Sequence, residues 1–437
     1  MEVRVIGLGY ERRLSNSRTE ETTDSIRAKG EGFVPIPRRR QRRVRIALRP
    51  KWATLAVLPP APILAMSSAL FTPYKLRKLA LANRIVVSPM CQYSAVDGCA
   101  TDWHVVHWGQ LLQSSAGMFT IEATAVSAIG RITYGCLGLY DDACEKALGE
   151  RLAIARKHAP PIPVAIQLAH AGRKGSSQVP WEGGQLIPVA QGGWTPVAPS
   201  AIPQLEHETP PAALDAAGLM QIRSEFVAAA KRAAQLGLDA LELHCAHGYL
   251  LHEFLSPLSN RRDDTYGGSF DNRVRFPLEV FAAVRACWPQ DKPMGVRISA
   301  TDWVDGGWTI EDSVALVRRL KAGGCDWIDT SSGGISPAQK IPLGPGYQVP
   351  LARAIRRATH VATMAVGLIT EAKQAEAIIA SGDADLVAMA RAMLWDPRWP
   401  WHAAAALGAQ VYAPEPYWRS PPRDAAAVIA HAKVGMR

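Results

Sequence analysis

The sequence predicts an α/β fold, a (β/α)8 barrel of the TIM-barrel type. From Met66 onward, eight short apolar runs alternate with longer Ala-rich segments of helical periodicity. The apolar runs are nearly continuous rather than alternating, as in parallel strands that are covered on both faces. Eight such βα units indicate a closed barrel, and 437 residues is an ordinary length for a single barrel.

The predicted elements follow one another in regular order. Helices are predicted most clearly over 216–237, 310–324 and 371–382. A Pro-, Gly- and Trp-rich segment, 171–215, follows the third strand, and because connections of this length are uncommon without a function, we expect a lid or a subunit contact there. The eight predicted strands are 84–90, 117–126, 163–170, 240–247, 294–300, 325–333, 361–368 and 384–392.

The net charge of +10 belongs almost entirely to the N-terminal segment. Residues 1–65 hold fourteen Lys and Arg against six Asp and Glu, whereas the remainder holds 35 against 33. The body of the protein is therefore nearly neutral, and we expect no nucleic-acid partner. Because no run of eighteen apolar residues occurs, we also expect no membrane-spanning helix.

The basic segment 1–65 has three interpretations. It is a secretory or twin-arginine signal, a basic arm for an anionic partner, or a stretch upstream of a true start at Met66. Pro59, Pro60 and Pro62 break its apolar run, and folded-domain patterning begins just after Met66, which favours the last interpretation. We therefore expect 1–65 to be a disordered or non-native extension, and 66–437 to form the barrel.

The seven cysteines are dispersed, odd in number and without a CxxC pair. This pattern is not typical of a disulfide framework, a zinc ribbon or an iron–sulfur site. A reducing compartment follows, and we expect a cytoplasmic protein.

The stretch 241–254, LELHCAHGYLLHEF, ends the fourth predicted strand, where barrels of this type place their active sites. Zinc would need a third ligand, and residues i and i+3 of an extended strand point to opposite faces. Core histidines satisfied by hydrogen bonds are a second interpretation. In a third, His244 and His247 donate hydrogen bonds to one developing oxyanion and Tyr249 supplies a proton. The nearest additional metal ligands would be Cys245, His252 and Glu253.

Six segments together resemble the old yellow enzyme family of FMN-dependent ene-reductases. They are SPMCQYSA (88–95), EATAVSAIGRIT (122–133), QLAHAGRK (167–174), ELHCAHGYLLHEFLSPLSNRRDDTYGGSFDNRVRF (242–276), VRISATDW (296–303) and DLVAMARAML (385–394). More narrowly, they are similar to the thermophilic-like subclass, which carries a cysteine at the end of the first strand. The likeness spans residues 70–419 and leaves out 1–65.

The resemblance implies non-covalent FMN at the barrel mouth and NAD(P)H as the reductant, with NADPH expected over NADH. The reduced flavin would pass a hydride to the β-carbon of an activated alkene, such as an unsaturated ketone, aldehyde, maleimide or nitroalkene. It implies that His244 and His247 hold the substrate oxygen and that Tyr249 protonates the α-carbon. Cys91 would lie near both the flavin ring and the substrate.

The resemblance also assigns further residues. Gln167 would bond the pyrimidine edge of the flavin, and Arg297 would face its N1–O2 region. Lys174 matches the family's lysine beyond the third strand. The implied cofactor-binding residues are Ser88, Pro89, Met90, Cys91, Ala123, Gln167, His244, Arg297, Val366, Gly367, Ala390 and Arg391. The implied substrate-side residues are Tyr93, Ile132, Trp418 and Arg419.

The C-terminal segment 410–437 departs from the subclass. PEPYWRSPP replaces a tyrosine-then-arginine ending whose arginine reaches into the neighbouring subunit's site. Arg419 is the best match, and Trp418 is the alternative, as in a xenobiotic-reductase branch. The segment 173–184 also resembles that branch, whereas Val366 is of the thermophilic-like type. We expect a homo-oligomer, a dimer or a tetramer, with one of these two side chains crossing to the adjacent site.

Two other function classes stay open on the sequence alone. One is a flavin-binding redox sensor that acts through Cys91. The other is a dienoyl-CoA or amine oxidoreductase relative, which would carry an iron–sulfur cluster that the dispersed cysteines do not support.

Overall fold

The computed structural model of the chain describes residues 68–433, so the predictions for 1–65 lie outside the described residues. Eight parallel strands close into a barrel, since the last strand pairs with the first through Val387 and Ile85. The barrel prediction is confirmed. The strands are β1 (Ile85–Val87), β2 (Met118–Ala125), β3 (Val164–Ala169), β4 (Ala240–Cys245), β5 (Met294–Ser299), β6 (Trp327–Ser331), β7 (Ala362–Ala365) and β8 (Leu386–Met389).

Each barrel strand is followed by at least one helix that packs on the outside. The helices are α1 (Asp102–Leu112), α2 (Asp142–Lys157), α3 (Ala216–Gln235), α4 (Leu250–Leu255), α5 (Phe270–Arg273), α6 (Arg275–Cys287), α7 (Ile310–Ala322), α8 (Val349–Thr359), α9 (Ala372–Ala380), α10 (Arg391–Trp395) and α11 (Trp399–Leu407). The long connection 171–215 holds three short 3-10 turns and one two-residue strand pair, Val197–Ala198 with Ala212–Ala213.

The longest helix, α3, shows why these segments are helical. Asp215 precedes the helix, and its side chain accepts the N–H of Gly218, which caps the first turn. Leu219, Ile222 and Phe226 follow at helical spacing and are buried against the barrel. The amphipathic pattern therefore fixes which face of α3 turns inward.

The barrel interior is divided into an apolar lower part and a polar upper part. At the amino end, a hairpin of Tyr74–Leu76 and Leu79–Leu81 closes the floor and packs into a small apolar cluster around Trp327. A Cβ added at Gly295 would lie 2.0 Å from the Trp327 ring, so glycine leaves the room that the indole fills. The charged side chains of the barrel strands come after this cluster along their strands, on the side of the candidate site; they are Glu122, Glu242, Arg297 and Asp329.

The strands are shorter than the sequence pattern predicts, because the apolar runs continue past the last hydrogen-bonded pair. No helix among residues 68–433 is long and apolar enough to cross a membrane.

Candidate active site

The two histidines of the stretch 241–254, His244 and His247, meet at the carboxyl end of β4. On an extended strand their side chains would diverge, but the chain turns after Cys245 and His247 adopts a left-handed conformation, φ 60°. The N–H of His247 donates to Ser299 Oγ at 2.9 Å, which holds the turn. The imidazole centroids consequently lie 5.0 Å apart, at an interplanar angle of 89°.

Both imidazoles are neutral. Burial lowers the pKa of His244 and His247 well below the ordinary value of 6.5, and the nearby Arg297 cation lowers both further. Nδ1 of His244 accepts the N–H of Ala246 at 3.2 Å, so the ring proton resides on Nε2. Nε2 of His247 lies 2.6 Å from Ser331 Oγ. His244 is therefore oriented as a hydrogen-bond donor through Nε2.

Tyr249 stands immediately before α4, with its ring centroid 5.0 Å from that of His244. Burial raises the pKa of its hydroxyl well above 10, and the Cys91 thiol adds to the effect. The phenol therefore keeps its proton at every physiological pH. It borders a small cavity together with Ala123 and Ile132, so these sequence-predicted residues are brought together.

Lys174 ties three loops together beneath this group. Its ammonium donates to the carbonyl oxygens of His247, at 2.8 Å, and of Gly334. Burial lowers its pKa to about 8. A Cβ at Gly334 would lie 2.5 Å from His247 Cα, so the loops after β4 and β6 pack backbone to backbone. The lysine therefore fixes the position of His247 rather than lying in solvent.

The residues that suggested further metal ligands are engaged elsewhere. His252 pairs with Asp302 through Nε2 at 2.9 Å, and Glu253 accepts the Arg173 N–H at 2.9 Å. Burial raises the pKa of Glu253 to about 8. Within residues 68–433, no group of three His, Cys, Asp or Glu side chains is placed to hold a metal ion.

The first-strand side of the mouth carries Cys91 and Tyr93. Burial raises the pKa of both groups, and for Cys91 the neighbouring Cys136 contributes next. Tyr93 has a left-handed backbone, φ 52°, and its ring meets the Trp181 edge at 5.7 Å. Because Trp181 belongs to the 171–215 insertion, this insertion borders the mouth.

Two buried residues behind this loop were missed by the sequence interpretation. Glu122 accepts the N–H of Gln92 at 2.9 Å, and His104 Nε2 lies 3.5 Å from the same carboxylate. The carboxylate therefore anchors the segment between Cys91 and Tyr93. The signal that could have identified Glu122 was the presence of a glutamate within an otherwise apolar predicted strand, 117–126.

A layer of charged residues lies just below the mouth. Across neighbouring strands, Gln167 is in register with Glu242, and Arg297 with both His244 and Asp329. The Gln167 amide donates to Glu242 Oε1 at 2.8 Å, and Arg297 Nε is 3.3 Å from Asp329 Oδ2. Gln167 and Arg297 were predicted, but the two carboxylates that orient them were not.

These carboxylates are buried and share one cation. Burial raises the pKa of Glu242 to about 7, the charge of Asp329 adds to it, and Arg297 opposes both effects. Burial also raises the pKa of Asp329. Glu242 precedes His244 by two residues, and because side chains alternate along a strand, both face the barrel interior. This period of two was the signal that could have found Glu242.

A cleft of about 180 Å³ opens between β7 and β8. Gly367 has φ 111°, and a Cβ there would lie 2.6 Å from the Gln348 amide nitrogen. Gln348 in turn donates to the Val366 carbonyl at 3.0 Å and accepts Ser332 Oγ at 2.6 Å. The sequence-predicted residues that line this cleft are Arg297, Val366, Gly367, Ala390 and Arg391.

These residues fit the FMN that the resemblance implies. Ser88 Oγ is buried without a hydrogen-bond partner among the described residues, and Arg297 Nε, although within ion-pair distance of Asp329, makes no hydrogen bond there. Such orphaned atoms are expected where a bound group supplies the partner. Arg297 and Arg391 bring two cations to one cleft, and Gly367 allows the backbone to approach closely, as phosphate binding requires.

The C-terminal residues lie elsewhere. The Trp418 indole donates to the Ala413 carbonyl at 3.0 Å and packs against the C-terminal apolar cluster of its own chain, whereas Arg419 is exposed. The contribution of either side chain to an adjacent site stays a prediction.

Comparisons with known proteins agree with this geometry. Residues 69–410 match the NADH:flavin oxidoreductase / NADH oxidase family. An NADPH dehydrogenase of Geobacillus thermodenitrificans is 45% identical over 81% of this chain and 99% of its own length. An NADH:flavin oxidoreductase of Gibberella zeae is 42% identical over 72% of this chain and 80% of its own length.

Solved structures show the same architecture. Morphinone reductase in complex with tetrahydroNAD is 28% identical, with a TM-score of 0.63 over 79% of this chain and 93% of its own. The chain therefore belongs to the NADH:flavin oxidoreductase / NADH oxidase family, that of the old yellow enzymes, and is an NAD(P)H-dependent flavin oxidoreductase.

Proposed function

We propose that the chain is an FMN-dependent ene-reductase that uses NADPH to reduce activated alkenes. The carrying observation is the triad at the end of β4, in which two neutral imidazoles lie beside a phenol that keeps its proton. A carbonyl or nitro oxygen needs hydrogen-bond donors as charge develops on it, and the adjacent carbon needs a proton.

The cofactor would be held without a covalent bond by the residues of the mouth. Gln167 and Arg297 would meet the ring, and Arg391 and the backbone at Gly367 the phosphate. When bound, FMN would supply the hydride chemistry, from NADPH to the β-carbon of the alkene. Arg297 is buried, and Arg391 is an exposed cation that lines the same cleft, so both are placed to meet an anionic group.

His244 would donate its Nε2–H to the substrate oxygen, since its Nδ1 is already occupied by the Ala246 N–H. His247 would donate in turn through Nδ1, or through Nε2 after Ser331 is displaced. Neutral donors suit this role, because an imidazolium in a buried site already crowded by Arg297 would be destabilised.

Tyr249 would transfer its phenolic proton to the α-carbon. A phenol with a raised pKa is a weak acid, so it releases the proton only to a strongly basic, carbanion-like carbon. Trp181 and Tyr93, from the insertion and the first loop, would close the mouth and exclude water. We further propose a homo-oligomer in which Trp418 or Arg419 reaches the adjacent site.

The variant Tyr249→Phe tests the assignment. We expect alkene reduction to slow by about 10²–10⁴-fold, as general-acid loss does, while flavin reduction by NADPH is nearly unchanged. Anaerobic stopped-flow absorbance of the flavin separates the two half-reactions. Tyr412→Phe, which alters an exposed phenol, is the control. An equal loss in both half-reactions would contradict the proton-donor role.

A redox sensor acting through Cys91 is the alternative. Burial raises the pKa of this thiol well above 9, which disfavours the reactive thiolate. We expect Cys91→Ala to retain alkene turnover with an altered flavin potential, measured by equilibration with a reference dye. Complete loss of turnover with normal flavin content would favour a cysteine-dependent function.

A further inference from the structure

We propose that Cys99 and Cys144 form a reversible disulfide when the protein encounters a hydroperoxide. The pair lies outside the candidate active site and plays no part in the proposed alkene reduction. Their sulfur atoms are 4.0 Å apart, although the cysteines are separated by 45 positions in the sequence. The described cysteines are free thiols in the structure, so this is a site of modification and not an existing cross-link.

The two thiols differ in access. Cys99 ends a tight turn, in which Val96 and Cys99 exchange backbone hydrogen bonds of 3.1 and 2.8 Å, and it is partly exposed. Cys144 lies in the first turn of α2 and is fully buried. Cys99 is therefore the thiol that a small oxidant reaches first, and Cys144 is the buried thiol that reacts second.

The segment that precedes α2 is hydrogen-bonded to the turn that carries Cys99. The N–H of Gly138 donates to the Gly98 carbonyl at 2.8 Å, and the Tyr140 hydroxyl donates to the Asp97 carbonyl at 2.8 Å. The Tyr140 ring fills the space beside Gly98, where a Cβ would lie 2.4 Å from its hydroxyl oxygen. Because these contacts hold the turn beside the start of α2, and Cys144 Sγ itself lies 3.7 Å from the Asp97 carbonyl oxygen, we expect side-chain rotation to bring the two sulfur atoms into bonding distance.

The chemistry balances with a hydroperoxide as the oxidant. The Cys99 thiolate attacks one oxygen of hydrogen peroxide, breaks the O–O bond and becomes a sulfenic acid, while the other oxygen leaves as hydroxide and takes up the proton that the thiol released to become water. The Cys144 sulfur then attacks the sulfenic sulfur, and its thiol proton leaves with the displaced hydroxide as a second water. Two thiols and one peroxide thus give one disulfide and two waters.

The local electrostatics suit this order of events. Burial raises the pKa of Cys144, and Asp141, whose side chain accepts the Cys144 N–H at 2.8 Å, raises it further. Cys144 therefore stays protonated in the resting protein, and its proton passes to the departing hydroxide as its sulfur bonds to the sulfenic sulfur of Cys99. The cross-link would tether the turn that follows Tyr93 to α2.

The test uses the full-length flavoprotein and stoichiometric hydrogen peroxide. Denaturation in N-ethylmaleimide and mass spectrometry should count five alkylated thiols in place of seven. Peptide mapping should find Cys99 linked to Cys144, and dithiothreitol should restore all seven. The oxidised protein should also unfold a few degrees higher, about 2–5 °C, because a long loop is closed.

Variants separate this pair from the other thiols. Cys99→Ser and, independently, Cys144→Ser should abolish the link, whereas Cys287→Ser, a partly exposed cysteine of α6, should leave it intact. Accumulation of sulfinic acid at Cys99 without a cross-link would overturn the proposal. A link between Cys91 and Cys136, with Cys99 and Cys144 still free, would overturn it equally.

Discussion

The variant Glu242→Gln removes one of the two buried carboxylates that share Arg297. Glu242 accepts hydrogen bonds from Gln167, at 2.8 Å, and from the Trp327 indole, at 3.1 Å. The indole only donates, so the new amide must present its oxygen to Trp327 and its NH2 to Gln167. The Gln167 side-chain amide must then rotate so that its oxygen accepts this new donor. The rotation exchanges the positions of its oxygen and its NH2 group, so a bound ring would meet an NH2 where it met an oxygen before.

The magnitude follows from the pKa of Glu242, which burial raises from 4.5 to about 7. At 1.36 kcal/mol per pKa unit, keeping this group ionised in the folded protein costs about 3 kcal/mol. The folded state holds the proton more tightly than the unfolded state, so stability from this group is lost as pH rises from 4.5 to 7. Above pH 7 the loss is complete and constant.

Urea unfolding between pH 4.5 and 8.5, with FMN in excess throughout, measures this dependence. The free energy of unfolding of Glu242→Gln, relative to that of the wild type, should rise by about 3 kcal/mol between the ends of this range. Glu311→Gln, which changes an exposed carboxylate of α7, is the matched control. A difference between Glu242→Gln and wild type that is the same at every pH would refute the reasoning.

Two further substitutions test the cleft and the loop junction. Gly367→Ala should weaken FMN binding about tenfold or more in a fluorescence titration of the apoprotein, because its Cβ would displace the Gln348 amide. Gly382→Ala, at another glycine with a positive φ, is the control. An unchanged Kd for FMN in Gly367→Ala would contradict the prediction. Lys174→Met should lower the free energy of unfolding by about 2 kcal/mol, because the His247 carbonyl loses its hydrogen-bond donor. It should also slow alkene reduction but not flavin reduction. A free energy of unfolding equal to that of the wild type would show that Lys174 does not stabilise this loop.

The sequence predicted the barrel well because its signals are local. Each strand is an apolar run of its own, and the order of strands and helices prescribes the closure. The helix boundaries were also close, with 216–237 predicted against Ala216–Gln235 observed. Capping residues such as Asp215 mark a helix start within a few positions, whereas the end of a strand depends on its neighbours.

The parts of the site that escaped prediction depend on contacts between distant segments. The Gln167–Glu242 bond joins residues 75 positions apart, and Gln348 reaches Val366 from a separate loop. The two imidazoles converge because His247 has a positive φ. No sequence pattern predicts a positive φ at a histidine. Family resemblance named the residues, but the hydrogen bonds that orient them came only from the structure.

The position of the buried charges argues that they serve the site rather than the fold. Below them, the barrel is filled by an apolar cluster around Trp327, so this chain is able to pack its interior without ions. Replacing buried ion pairs by apolar residues is often neutral or stabilising, and Glu242 costs stability at neutral pH. The layer of charged residues lies beneath the mouth, where Glu242 accepts the Gln167 amide and Asp329 pairs with Arg297. The stability lost there is the consequence of holding an amide and a guanidinium in fixed orientation toward the cofactor.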